Sequence, residues 1–230
     1  MTAHHARARA RARTPLTPER IVDAALAIAA RAEPDGLTGR ALGEELGVDR
    51  SAVWRHFADR DALLLAVGDR LLALALAAVP DGPLAPHERM MALGRGLVAA
   101  FEAHPHVGAL VACRTTQGPG ELAVVETMLR ALGEVGVPSA LVPRYQRMLA
   151  DTLLGYAGLR AGYACLSEDV RRRDQLAWVG TYATAAPAQH PEISSRALDL
   201  GAVSDDDVLA TLLDALWSAV RAVAATGADA

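Results

Sequence analysis

Apolar residues recur every three or four positions along almost the whole chain. No stretch alternates apolar and polar residues with the β-branched and aromatic enrichment of a strand. The pattern predicts an all-α protein. Ile21, Ala24, Ala25 and Ile28 form a first stripe, introduced by Thr17 as cap, Pro18 at the first helical position and Glu19 in the first turn. This helix is expected to end near Ala32, before the turn Glu33-Pro34-Asp35-Gly36. Thr38 then caps a short helix to Leu46, Gly47 interrupts it, and Asp49 caps a third helix closing near Phe57. Asp59 caps a long fourth helix that reaches Val79. Beyond Pro80, helices are expected at about 86–103, 106–113, 120–135, 143–166, 168–184, 191–199 and 205–225.

Three of these helices carry more than a simple stripe. The fourth is apolar on two faces, Leu64, Val67, Leu71 and Leu74 on one and Leu65, Leu72, Leu76 and Val79 on the other, so it should pack between the N-terminal helices and the C-terminal remainder of the chain. The helix at 143–166 sets Tyr145, Leu149, Thr152, Tyr156, Leu159 and Tyr163 on one face. Beside them run Gly155, Gly158 and Gly162, small enough to let another helix approach. The last helix opens with Ser204 and Asp207 in a capping arrangement and carries Leu209, Leu212, Leu213, Leu216, Val220 and Val223. That helix and the glycine-lined one are the expected dimer-forming surfaces.

Composition narrows the class. The chain has 230 residues, 52% hydrophobic and 22% charged, enough to bury a sizeable core. The apolar run Leu71–Val79 is far shorter than the roughly 20 residues that span a bilayer, and no signal-like apolar core succeeds the basic N-terminus, so a cytoplasmic protein without a membrane partner is expected. Cys113 and Cys165 are too few for a disulfide framework and are expected to be small core residues. All 23 basic residues are arginine. Residues 1–60 hold 10 of them against 8 acidic side chains, although the whole chain is at −4. Arg7, Arg9, Arg11 and Arg13 fall in a tract without an apolar face, read as a flexible basic arm over 1–16.

The basic quarter also holds the most informative stretch, Thr38 to Phe57. Two short helices meet at Gly47, where a tight turn needs a left-handed residue, and Gly43 one turn earlier allows a close crossing. This is a helix-turn-helix. Leu42, Leu46, Val48, Val53 and Phe57 supply the inward contacts, which leaves Arg50, Ser51, Ala52, Trp54, Arg55 and His56 facing outward. Two arginines, a histidine and an indole on one face suit nucleic acid, and the competing reading pairs Arg55 and Arg60 with Asp59 and Asp61.

Residues 17–79 resemble the DNA-binding domain of the TetR family of bacterial transcriptional regulators. The likeness rests on Leu42-Gly-Glu-Glu-Leu-Gly-Val48, Val53-Trp-Arg-His-Phe57 and Asp61-Ala-Leu-Leu64, with Trp54 where tyrosine is usual and Gly43 where alanine is usual. The resemblance implies a helix-turn-helix domain over 17–62, with the start of a linking helix to 79, and an effector-binding and dimerising bundle over 63–226. It places Arg50, Ser51 and Ala52 at base edges and gives phosphates to Thr38, Trp54, Arg55, His56 and Arg60. It also implies a homodimer on double-stranded operator DNA, half-sites about 34 Å apart or a multiple of that, controlled by a small-molecule effector and most often repressing.

Candidate effector residues are Met90, Leu97, Phe101 and His104 on one helix, with Tyr156, Trp178 and Tyr182 as amphipathic rings. His87, His104, His106 and Cys113 lack the spacing of a metal site, and no hydrolase, phosphate-loop or dinucleotide motif occurs, so neither cofactor nor catalytic residue is implied. The alternatives are an all-α enzyme with a vestigial helix-turn-helix and a partner-binding bundle.

Overall fold

A computed structural model describes residues 15–31 and 37–228. The basic arm carrying Arg7 to Arg13 and the turn Glu33–Gly36 lie outside the described residues. Among the described residues helices are the regular structure, without strands, as the apolar periodicity predicts.

The capping residues set most of the boundaries. Thr17 accepts a bond from the Arg20 N–H (3.3 Å) and opens α1 (Pro18–Ala30), whose Ile21, Ala25 and Ile28 are buried. Thr38 accepts from the Ala41 N–H at the start of α2 (Gly39–Leu46), and Asp49 from Ser51 at the start of α3 (Arg50–Val53). The third helix is therefore one turn shorter than expected. From Trp54 to His56 the chain continues as turns, and Phe57 packs back on the core from outside the helix.

Asp59 caps α4 (Arg60–Ala77) through the Ala62 N–H. Its buried row is Leu63, Val67, Leu71 and Ala75, each fully covered, with Leu72 beside them. The inward row keeps Val67 and Leu71 of the expected stripe and differs at its ends, where Leu63 and Ala75 replace Leu64 and Leu74: Leu64 is half-buried and Leu74 is 39% exposed. With leucine at so many positions the period is satisfied in more than one phase, and the neighbours choose among them. Those neighbours are α1 on one side and, on the other, α5 (Pro86–Ala103), α6 (Pro105–Val111) and α7 (Pro119–Val135).

A buried carboxylate sets the junction of α4 with α7. The N-cap of α7 is Gly118, which has no side chain to offer, so the first N–H groups of that helix would be left without partners. Asp69, 9% exposed, reaches across from α4 and accepts from the Gly120 N–H (3.0 Å) and the Glu121 N–H (2.8 Å). Its charge also faces the positive end of the α7 dipole. The backbone at Gly120 lies so close to Asp69 that no side chain fits between them.

The rest of the bundle is completed by α8 (Val142–Ala164) and α11 (Asp205–Ala228). The buried row of α8 is Leu149, Leu153, Ala157 and Ala161; of the tyrosine-bearing face only Leu149 belongs to it, and Leu159 stays exposed. Gly158 meets Ala112 of the same chain, so this glycine serves the α6–α8 crossing. Leu209, Leu213, Trp217 and Val220 bury one side of α11 on a bundle that includes α5 and α7. Asp205–Thr226 is also long and apolar enough, by length and composition, to cross a membrane, a property the shorter run at 71–79 does not have. Cys113 is exposed in the turn after α6 and Cys165 is half-buried at the end of α8, where burial raises its thiol pKa; neither is the core residue expected from its type.

Two helices stand apart. α9 (Glu168–Ala183) and α10 (Pro191–Ala202) pack on each other and contain no buried residue. Leu176, Trp178 and Leu198 are at least half exposed, Leu198 at 87%.

Replacing Asp69 by alanine leaves two N–H groups without their acceptor, and we expect a stability loss of about 2 kcal/mol. Asp69→Asn retains an acceptor and should lose less. Urea unfolding followed by circular dichroism measures both, and equal stability of Asp69→Ala and the wild type would show that this carboxylate does not hold the junction.

Candidate nucleic-acid interface and effector cavity

The helix-turn-helix is assembled from short elements by two backbone requirements. Gly47 ends α2 at φ 65°, ψ 35°, the left-handed region that favours glycine. Gly43 lies against the following chain, where an added Cβ would stand 2.9 Å from the Val48 carbonyl oxygen and 3.2 Å from the Arg50 nitrogen. Leu42 and Val53 are fully buried, and α2 packs against both α1 and α3.

Arg50, Ser51, Arg55, His56 and Arg60 are exposed, and Ala52 is half-buried. Ser51 donates its backbone N–H to Asp49 (2.8 Å). Hydrogen bonding from the Ser51 side chain, then from this N–H, with the nearby charges of Arg50 and Arg55, holds the Asp49 carboxyl below its ordinary pKa. His56 lies close enough to Glu19 to lower that carboxyl slightly, after the larger effects of the α1 backbone and Thr17.

Trp54 is half-buried, and its indole lies over the first residue of α2: a Cβ added at Gly39 would sit 2.6 Å from Trp54 Nε1. Thr38, the α2 cap, is the neighbouring residue. The fold thus sets Trp54 against the start of α2, next in the chain to Thr38.

The competing ion-pair reading of the arginines does not describe this arrangement. Among the described residues, Arg40 pairs with Glu44 and Arg31 with Glu45, whereas Arg50, Arg55 and Arg60 have no carboxylate within ion-pair distance. Asp59 is occupied as the α4 cap. Asp61 is occupied by Arg114, from the turn after α6, through two bonds of 3.0 and 2.8 Å. This ion pair lowers the Asp61 pKa and raises that of Arg114. The partner of Asp61 thus comes from 53 residues away, a pairing that no local spacing announces.

Within the helical bundle a cavity of about 520 Å³ opens between α4 and α8. Its apolar wall includes Leu72 of α4, Leu97 and Phe101 of α5, Val111 of α6, Met128 of α7 and Leu153 of α8. Arg114, Thr116, Glu121, Gln146, Arg147 and Asp151 form its polar part. Apolar walls with a few polar groups suit a small amphipathic molecule.

Of the expected effector residues, Leu97 and Phe101 stand on this wall and the other five do not. Met90 is buried on α5 outside the cavity. His104 forms the corner between α5 and α6, its Nδ1 3.0 Å from the Ala100 carbonyl oxygen. Tyr156 reaches the Asp205 carbonyl (3.3 Å). Trp178 and Tyr182 pack edge to face on α9, with centroids 4.7 Å apart, outside the bundle. Arg114, Thr116 and Glu121 carry no such signal in the sequence, because they lie in or beside the turn between α6 and α7, where helical periodicity says nothing.

Comparisons agree with this architecture. Residues 21–67 match the family model for bacterial regulatory proteins of the tetR family, and residues 80–216 match the tetracyclin repressor-like C-terminal domain. The class A tetracycline repressor protein from transposon 1721 of Escherichia coli is 42% identical over 60 residues, 26% of this chain and 28% of that protein's length. The transcriptional regulator SCO7222 of Streptomyces coelicolor, a TetR, superposes with a TM-score of 0.76 at 26% identity, over 91% of this chain and 99% of that one. The S. coelicolor TetR family protein ActR in complex with actinorhodin has a TM-score of 0.76 at 23% identity, over 92% and 99% of the two chains, a likeness of fold. With both halves of its architecture matched by family models, the chain belongs to the TetR family of bacterial transcriptional regulators.

Proposed function

We propose that the protein is a homodimeric repressor whose affinity for operator DNA is set by a small molecule held in the cavity beside α4. The supporting observation is the state of the helix-turn-helix arginines. Arg50, Arg55 and Arg60 are exposed without an ion pair among the described residues, while the nearby acids Asp59 and Asp61 are committed elsewhere.

Arg50, Ser51 and Ala52, at the start of α3, read base edges in the major groove, where guanidinium matches guanine bidentately. Arg55, His56 and Arg60 hold phosphates. Thr38 and Trp54 share a phosphate at the N-terminus of α2, the indole as donor only. The effector occupies the cavity lined by Leu97, Phe101, Arg114 and Thr116. Because Gly68 and Leu72 of α4 form part of that wall, an effector touches the helix that starts at Arg60. The fold-level relative ActR in complex with actinorhodin is consistent with a ligand-binding bundle of this kind.

Two copies are needed to read two half-sites. The exposed apolar residues Leu159, Leu176 and Leu198 supply surface for that association. A stable dimer covers roughly 1,200–2,000 Å² or more, so the protein should sediment as a dimer at micromolar concentration. A monomer at that concentration would contradict the assembly.

DNA binding separates the assigned roles. Against duplexes selected from a randomised pool, Arg50→Ala should lose about 1–3 kcal/mol and relax sequence preference at one position. Arg60→Ala should weaken every duplex alike and reduce the slope of log affinity against log salt by about 1. Identical, sequence-independent losses from both changes would overturn the division into base and phosphate contacts.

Gly39→Ala tests the shared phosphate seat. The added methyl displaces the Trp54 indole, so DNA affinity should fall several-fold, by roughly the strength of one hydrogen bond, while the melting temperature holds. Unchanged affinity would remove Trp54 from the interface.

A further inference from the structure

The four charged side chains of the cavity differ in how firmly they are held. Glu121 Oε2 accepts from the Thr116 N–H (2.6 Å) and the Gln117 N–H (2.8 Å), and the Thr116 hydroxyl lies at 2.9 Å. Its backbone donors belong to the turn that leads into α7, so this carboxylate is not free to take a ligand cation. Arg147 is bonded to Asp151 one turn along its own helix, in an exposed pair. Arg114 is different in kind: its partner, Asp61, belongs to α4, and the two side chains remain 38% and 56% exposed. A bidentate guanidinium held by one solvent-exposed carboxylate exchanges it for another carboxylate at little cost, because water screens an exposed pair.

Asp61 is also placed where its charge matters. It is the second residue of α4 and comes directly after Arg60. While Arg114 neutralises it, the start of α4 presents the Arg60 charge to an approaching phosphate.

We propose that the effector is an amphipathic anion, an apolar body bearing a carboxylate, sulfonate or similar group, which takes Arg114 from Asp61 and so controls DNA affinity. The proposal rests on the assignment of the protein as an effector-controlled repressor and adds to it the chemistry of the ligand and the point of coupling. The exchange has two consequences. It cuts a tie between the DNA-facing end of α4 and the turn that lines the cavity. It also leaves a bare carboxylate beside Arg60, which opposes phosphate. By reciprocity, bound DNA favours the Asp61–Arg114 pair and weakens the anion by the same factor.

The test uses two probes with one ring frame, 1-anilinonaphthalene-8-sulfonate and the neutral N-phenyl-1-naphthylamine, titrated by fluorescence into the full-length protein. Removing a charge-assisted pair in Arg114→Gln should weaken the sulfonate about tenfold and leave the neutral probe unchanged. Arg114→Lys should restore part of the difference. Asp61→Asn removes the competitor, so it should tighten the sulfonate alone. With duplexes selected from a randomised pool, the sulfonate should lower wild-type DNA affinity several-fold and leave that of Asp61→Asn unmoved. Because the pair is exposed, these variants are expected to fold as the wild type does. Parallel shifts of both probes, or a sulfonate indifferent to both positions, would overturn the anion assignment. An equal response of wild type and Asp61→Asn DNA binding to the sulfonate would overturn the coupling. Failure of the wild type to bind any duplex would instead overturn the repressor assignment, and it registers in a separate measurement.

Discussion

The seating of α4 is the constraint on which the molecule depends, because this helix begins at the DNA-facing segment and runs along the wall of the cavity. Its fully buried row, Leu63, Val67, Leu71 and Ala75, is held by hydrophobic contact, which is strong and without direction. Direction comes from Asp69. By capping α7 from another helix, its carboxylate satisfies donors that Gly118 cannot reach and allows one axial placement of α4 against α7. A slide along the helix would keep most of the apolar contact and lose both of these bonds.

The charges of the N-terminal domain depend on this placement. Once α4 is seated, Asp61 meets Arg114 and is withdrawn from the arginines near it. The protein has more acid than base overall, yet the segment from Arg50 to Arg60 keeps its positive side chains exposed. A polyanion is met by this local arrangement and not by the net charge.

Much of the cavity is likewise a product of seating. Leu72, Leu97, Phe101 and Met128 are ordinary core residues by type, and they line an opening only because the facing helices stop short of filling it. Of the polar residues of its edge, Arg114 and Thr116 belong to the connection between α6 and α7 and Glu121 to the first turn of α7, which is also where α4 is tied. The proposed ligand seat and the ties of α4 therefore meet on one short segment.

The amino-acid sequence by itself determined the helices and the helix-turn-helix. Caps at Thr17, Thr38, Asp49 and Asp59, proline at first helical positions and glycine at Gly47 are local signals, each read from a few neighbouring residues, and the structure places helix ends where they stand. The end of α3 was not legible in this way: no glycine or proline marks it, the chain continues as turns from Trp54 to His56, and Phe57 packs on the core from outside the helix. The outward face of Arg50, Arg55 and Arg60 was legible for the same local reason as the caps, whereas the freedom of Arg60 from Asp61 was not. Only the tertiary structure decided which phase of the leucine-rich α4 turns inward, that Gly158 serves α6, and that Asp61 and Asp69 reach partners about fifty residues away. Helical periodicity is a one-dimensional signal; the choice among equivalent apolar faces, and the pairing of distant charges, is made only when another helix packs against them.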